Sequence, residues 1–260
     1  MPQANGAVLD ATILDATVLD ATSLHYRLLN QRVREIATEH SHIQVHNVVG
    51  QRYIGTNLGS CNTTLELHGT PGNDLGAFLN GADVLVHGNA QDGAGNTMSA
   101  GRIVVHGNAG DVAALSMRGG SIYIQGNVGY RCALHMKECG THKPSIVVGG
   151  TSQDFFSEYM AGGIAVLLGL NLPDPGVHKA RYMGSGMHGG TIFVRGKVDA
   201  WRLGKEVATS VLTTADLAEL MPLLSEWAGL FGADMAEIMA RPFVKLHPKN
   251  SRPYGNLYAY

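Results

Sequence analysis

Short apolar segments that end in glycine recur along most of the chain. Four of them read LELHG, VLVHG, IVVHG and IYIQG and occupy residues 65–69, 84–88, 103–107 and 122–126. Their final glycines are separated by 19, 19 and 19 residues, and three further segments follow with spacings of 24, 19 and 27. The two longer spacings are insertions that fall outside the predicted strands.

A second marker keeps the same register. A leucine or methionine lies ten residues after each of the first five glycines, and a sixth is displaced by eight residues through the proline-containing insertion at 171–178. The residues of this marker are Leu79, Met98, Met117, Met136, Met160 and Met187. Two markers with one period near 20 residues are typical of a solenoid.

Inward-facing and outward-facing side chains alternate along the strand segments, as a β-coil requires: Val84 and Val86 would point inward, and His87 outward. The sequence therefore predicts an all-β fold, a right-handed parallel β-helix of about seven coils with helical N- and C-terminal flanks. The glycines that define the repeat are Gly69, Gly88, Gly107, Gly126, Gly150, Gly169, Gly196, Gly120, Gly163, Gly184, Gly186 and Gly190.

Four regions follow from this pattern. They are an N-terminal extension at 1–22 with three LDAT repeats, a cap at 23–50 made of a helix and a strand, the β-helix at 51–210, and C-terminal helices with a docking tail at 211–260. The helices of the flanks are expected to cap the ends of the coil stack, since an open strand edge invites pairing with other chains. Residues 241–255 are basic, proline-rich and aromatic, which favours an extended arm that docks on a partner over a solvated tail.

Composition excludes several classes of function. With 19 basic and 21 acidic residues, the formal charge of -2 gives no electrostatic case for nucleic-acid binding, for which a clustered basic surface would be expected. No apolar run is long enough for a membrane span, and no signal-peptide pattern opens the chain, so a cytoplasmic location is expected. The three cysteines, Cys61, Cys132 and Cys139, form no CxxC motif and are expected to be reduced thiols.

Residues 184–189 read GSGMHG and match a dinucleotide-binding GxGxxG pattern. That pattern must follow a strand and open a helix, whereas here it precedes the strand at 192–194. A turn of the solenoid is the favoured interpretation. No GxSxG nucleophile motif is present.

Three histidines, His68, His87 and His106, occupy equivalent positions one repeat apart, and Gln125 takes the next position. They are expected to stack on the outer face. Stacked imidazoles can bind metal or protons, but no carboxylate recurs beside them, which favours a polar ladder. Asparagines at 89, 108 and 127 and aspartates at 92, 111 and 154 recur in the same way. They are expected to have a structural role in the turns.

The best metal candidates are Cys132, His135, Cys139 and His142, which combine two thiols and two imidazoles beside the first insertion. Their spacing differs from that of known zinc motifs, and Met136 lies between them in the register of the repeat. The sequence therefore predicts no metal, cofactor or catalytic site in this chain, with these four residues as the candidates if one exists.

Several short sequence segments resemble those of a known protein family. They are GTPGND at 69–74, GNAQDGAGNTM at 88–98, GNAGD at 107–111, MRGG at 117–120, EYMAGG at 158–163 and GSGMHGG at 184–190. Over roughly residues 23–210 the chain resembles the GXGXG domain, the C-terminal β-helix of the glutamate synthase large subunit, as a stand-alone version.

The resemblance implies a structural role in nitrogen metabolism and amino-acid biosynthesis. The expected partners are a glutamine amidotransferase subunit and an FMN-containing glutamate-synthase-like subunit, between which glutamine-derived ammonia is transferred to make glutamate or N-methylglutamate. FMN and an iron-sulfur cluster are expected in those partner subunits.

Two alternatives remain open. One is the β-helical subunit of a formylmethanofuran dehydrogenase or of a formyltransferase/hydrolase complex, which shares the fold. The other is an independent metalloenzyme built on the histidines or on the cysteine and histidine cluster.

Overall fold

A computed structural model describes residues 16–59 and 62–251. The elements in chain order are β1 Thr17–Asp20, α1 Tyr26–Ile36, β2 His42–Val49, β3 Thr64–Thr70, β4 Asn80–His87, β5 Ala100–Val105, β6 Ser121–Ile124, β7 Ser145–Val148, β8 Ala161–Leu167, β9 Gly189–Arg195, a 3-10 turn Ala200–Arg202, β10 Val207–Ser210, α2 Thr214–Phe231, α3 Met235–Met239 and β11 Phe243–Pro248. The LDAT repeats lie largely outside the described residues, and the third one includes the end of β1. Cys61 also lies outside them.

The described strands form one 11-stranded sheet in the order β1 to β9, then β11 and β10. Strands β1 to β9 pair in parallel with their sequence neighbours, in registers such as Leu65 opposite Val84 and Val84 opposite Ile103. This topology confirms the predicted parallel β-solenoid. It has about six turns, slightly fewer than the seven coils expected.

Each turn passes through an arch opposite the sheet, in which every second residue has a positive φ. In one arch Gly93, Gly95 and Thr97 have φ angles of 74°, 72° and 54°. Their backbone N–H groups bond alternately to the following and the preceding coil, as when Gly93 N donates to Asp111 O at 2.9 Å and Gly95 N to Leu75 O at 2.8 Å. The motif glycines Gly184 and Gly186 occupy the last such arch, which confirms that GSGMHG is a solenoid turn.

The hydrophobic core fills the interior of the coils, where equivalent apolar side chains of successive turns lie above one another. All six residues of the second sequence marker are fully buried there: Leu79, Met98, Met117, Met136, Met160 and Met187. The alternation is confirmed as well, since Val84 and Val86 are fully buried while His87 is exposed.

The helices of the C-terminal flank form as predicted, but α2 does not cap an end of the coil stack. Its residues Leu220, Leu224 and Trp227 pack on the outer face of β5 to β9, against a second apolar cluster that includes Tyr123 and Phe193. The outer side chains of those strands are apolar, so they need a cover that the sequence repeat alone does not supply.

Strand β9 is the last parallel strand, and its outer edge is paired with other strands rather than capped by a helix. Strand β11 pairs antiparallel with β9, with Val244 opposite Val194, and β10 pairs antiparallel with β11. The described part of the predicted docking arm therefore includes a strand that pairs with the sheet of its own chain.

Candidate functional site

Four imidazoles stack in a column on the outer face of the first turns. The ring centroids of His46 and His68 lie 4.4 Å apart, those of His68 and His87 4.6 Å, and those of His87 and His106 5.3 Å. The rings are within 19° of parallel. We call these four residues the histidine column; its last member, His106, meets the edge of Phe231 from α2 at 5.2 Å.

Glu66 lies beside the histidine column, two residues before His68 on the same face of β3. Its Oε1 lies 3.2 Å from His87 Nε2, and its Oε2 accepts from Gln44 Nε2 at 2.8 Å and lies 3.2 Å from His42 Nε2. Only 14% of the Glu66 side chain is exposed. The carboxylate thus connects β2, β3 and β4.

One ligand atom from each of Glu66, His68 and His87 lies within 4.8 Å of the other two. Among the described residues, no other group of three or more potential metal ligands comes this close. His68 Nε2 is buried and has no hydrogen-bond partner. A buried nitrogen without a hydrogen-bond partner is costly.

The surroundings of His68 and His106 favour their neutral forms, and those of Glu66 favour its ionised form. Burial lowers the pKa of His68, and the neighbouring His87 and His46 lower it further because adjacent cations would repel each other. Burial and His87 likewise lower the pKa of His106. Burial raises the pKa of Glu66, but hydrogen bonds from His87, Gln44 and His42 outweigh it, so the net pKa is lowered.

The sequence pattern found three of the four stacked histidines and missed His46 and Glu66. The β2 segment QVHN carries the same signal as VHGN at 86–89, but it ends without the glycine that marks the other strands. Glu66 does not recur in later turns, where Leu85, Val104 and Tyr123 stand opposite it in register. A periodic search therefore discounts it.

The four cysteine and histidine candidates do not form a comparable group in the described part of the chain. Cys132 is fully buried in the core, where burial raises the pKa of its thiol. Cys139 is exposed and forms a small antiparallel bridge with His142. His135 is exposed and stacks on Tyr159 at 5.3 Å.

The asparagine and aspartate repeats connect neighbouring coils. Asn89 Oδ1 accepts from Asn108 N at 2.8 Å, and Asn108 Oδ1 accepts from Asn127 N at 2.8 Å. Asp92 Oδ1 likewise accepts from Asp111 N at 2.8 Å. These side chains serve the backbone of the next turn, which confirms the structural interpretation.

A second surface of interest lies on the arches of the last turns and on the 3-10 turn Ala200–Arg202. We call it the aromatic face and define it as Arg131, His135, Phe155, Tyr159, Tyr182 and Trp201. The Arg131 guanidinium lies 4.9 Å from the Phe155 ring, which stacks on Tyr182 at 5.0 Å. Tyr182 and Trp201 line one surface cavity of about 740 Å³.

Much of this aromatic surface faces solvent. Tyr159 is 40% exposed, Tyr182 47% and Trp201 66%. The Arg202 guanidinium lies 4.0 Å from the Trp201 ring and extends the same pattern of arginine over aromatic rings. Aromatic residues and arginine are the types enriched at protein interfaces.

None of the described helices combines the length with the apolar composition that a bilayer crossing requires.

Comparison with known proteins identifies the fold family. A family model described as the GXGXG motif matches residues 20–250. An uncharacterized protein of Methanocaldococcus jannaschii, MJ1350, is 41% identical over 242 residues, which cover 90% of this chain and 93% of that protein.

Proposed function

The chain belongs to the GXGXG motif family, and on that premise we propose that it is a non-catalytic assembly subunit of a glutamate-synthase-like complex. In this proposal it holds a glutamine amidotransferase subunit and an FMN-containing, iron-sulfur synthase subunit together while glutamine-derived ammonia passes between them. The product is glutamate or N-methylglutamate.

The use of the repeat residues supports an architectural role. The core methionines fill the coils, the asparagines at 89, 108 and 127 bond to the next turn, and the arch backbones bond in both directions along the stack. A solenoid of this kind offers long, rigid surfaces on which other proteins can dock.

The aromatic face is the observation that carries the proposal. Exposed tyrosine, tryptophan and arginine side chains are the residues that dominate binding energy at protein interfaces. Their mutual stacking holds them in place before binding, which reduces the entropy lost on association. We propose that this face contacts a partner subunit.

The test is to isolate the tagged full chain from its native host under mild conditions and to identify the co-purifying proteins and any flavin. We expect an amidotransferase and an FMN protein in constant ratio to the chain. The double variant Tyr182→Ala, Trp201→Ala should lower their recovery at least about tenfold, since two such side chains contribute more than about 1 kcal/mol each at an interface.

The matched control is Val49→Ala, which also removes an exposed apolar side chain, 81% exposed, but at the opposite end of the stack. It should leave recovery unchanged. Recovery of a formyltransferase and a metallohydrolase would replace the proposal with the formyl-transfer alternative, and a solitary chain would contradict it.

A further inference from the structure

Two adjacent coils bring a carboxylate and two imidazoles together at one point of the histidine column. We propose that Glu66 and His68 of β3 and His87 of β4 bind one divalent transition-metal ion, with Zn²⁺ as the test case. This site does not depend on the assembly role.

The donor set fits that chemistry. Imidazole nitrogen and carboxylate oxygen are the usual ligands of Zn²⁺, at about 2.0–2.2 Å, so two donors on one tetrahedral ion lie about 3.4 Å apart. Glu66 Oε1 and His87 Nε2 are already 3.2 Å apart, and all three donors lie within 4.8 Å of one another. Side-chain rotations, including a tilt of the His87 ring out of its stack with His68 and His106, would bring the three donors to one ion.

His68 supplies the observation that a purely structural ladder leaves unexplained. Its Nε2 is buried and makes no hydrogen bond, although the ring stacks tightly between His46 and His87. A neutral imidazole held in this way offers its lone pair to a cation. Coordination would satisfy the nitrogen.

The second oxygen of Glu66 is held by residues that do not belong to the site itself. Gln44 Nε2 donates to Oε2 at 2.8 Å, and His42 Nε2 lies 3.2 Å from the same atom. Such partners orient a ligating carboxylate and strengthen its binding of the ion.

The consequence is a cross-link between β3 and β4, near the end of the stack that α2 does not cover. Because the ion binds the folded chain, it stabilises the first turns by a free energy that grows with the logarithm of its concentration once that concentration exceeds its Kd.

The experiment uses the full chain without a histidine tag, stripped of metal with a chelator. Zn²⁺ is added in a calorimeter, and Co²⁺ is added while the visible absorption is recorded. We expect one equivalent of either metal per chain, a Co²⁺ absorption band, and a higher Tm with Zn²⁺. Glu66→Gln and His87→Ala should each weaken binding by at least about tenfold.

His135→Ala is the matched control, since His135 is also exposed and stacks on one aromatic ring outside this group. It should bind like the original chain. Binding below one equivalent, or equal affinity in all four proteins, overturns the proposal. His87 is exposed, so its variant is expected to fold, and circular dichroism checks that independently of metal.

Discussion

At the scale of single residues, backbone conformation in the arches is set by the neighbouring coils rather than by the residue type. Val112, Arg131 and Phe155 have φ angles of 52°, 55° and 66°, where the equivalent residue of another turn is Gly93. For a non-glycine residue this region costs about 1–3 kcal/mol. The hydrogen bonds to coils on both sides hold the residues there, as when Val112 N donates to Tyr130 O at 2.8 Å.

Some glycines have a steric role as well as a positive φ. Gly120 has a φ of 77°, and a Cβ there would lie 2.5 Å from Gly101 O and 2.5 Å from the Met98 methyl. We therefore expect Gly120→Ala to lower the free energy of unfolding by about 3 kcal/mol, because backbone strain and overpacking add. Urea unfolding of the purified chain measures it.

Gly140→Ala separates the two causes. Gly140 has a φ of 61°, but a Cβ there would meet nothing within 4 Å. Its cost should be about 1 kcal/mol, from strain alone. Equal effects at the two positions would mean that close packing of the coils is not what requires glycine at Gly120.

At the scale of elements, α2 begins at a complete capping box that is also tied to the sheet. Asp216 N donates to Thr213 Oγ1 at 3.2 Å, while Thr213 N donates to Asp216 Oδ2 at 2.8 Å. Lys245 of β11 donates to Asp216 Oδ1 at 2.6 Å. One carboxylate thus fixes both the start of the helix and its position against the closing strand.

This arrangement predicts a pH dependence. The hydrogen bond from Lys245, followed by those from Thr213, lowers the pKa of Asp216 from 3.8 to about 2. Because the folded pKa lies below the unfolded one, the stabilisation is present above about pH 4 and is lost as the pH falls towards 2. Asp216→Asn should lower stability by about 1 kcal/mol at pH 7 and by less at pH 3.

Thermal unfolding of the original chain and of Asp216→Asn at pH 7 and pH 3 measures the difference in stability between them. Glu219→Gln is the control in the same helix: Glu219 is exposed and pairs with Lys143 on the surface, so its effect should be small. If Asp216→Asn lowers stability as much at pH 3 as at pH 7, the ionised carboxylate is not the stabilising species.

At the scale of the whole molecule, the coil stack is supported unevenly because α2 covers only the later turns. Trp227 is 2% exposed, and its Nε1 donates to Ile124 O of β6 at 3.0 Å. Glu226 accepts from Arg102 Nη1 at 2.9 Å and from Tyr123 Oη at 2.6 Å. Among the described residues, strands β2 and β3, which carry His46 and His68, contribute nothing to this outer cluster.

Hydrogen exchange should show this difference. We expect the slowest amide exchange in β5 to β7 and the fastest at the edge strand β1. Trp227→Ala should cost about 3–5 kcal/mol locally and lower protection in β6 and β7 at least about a hundredfold, with much less change in β2 and β3. A solenoid is stabilised mainly between neighbouring repeats, so a uniform loss along the stack would contradict this account.

The repeat, and the features that depend on it, can be predicted from the amino-acid sequence. The period, the inward alternation of Val84 and Val86, the buried methionines and the stacked His68, His87 and His106 all follow from one register, because each coil places the same position above the last. The helices of the flanks were also predictable from their apolar periodicity and from start signals such as Thr213.

The tertiary structure alone decided where non-repeating residues meet. Glu66 reaches His87 across a coil boundary, α2 lies on the outer face instead of an end, and β11 pairs back onto β9. Helix α2 and strand β11 lie outside the repeat, and Glu66 is a side chain that the other repeats lack, so a periodic pattern along the chain does not predict these contacts. They depend on which faces the folded coils leave uncovered, a property that exists only once the whole stack has formed.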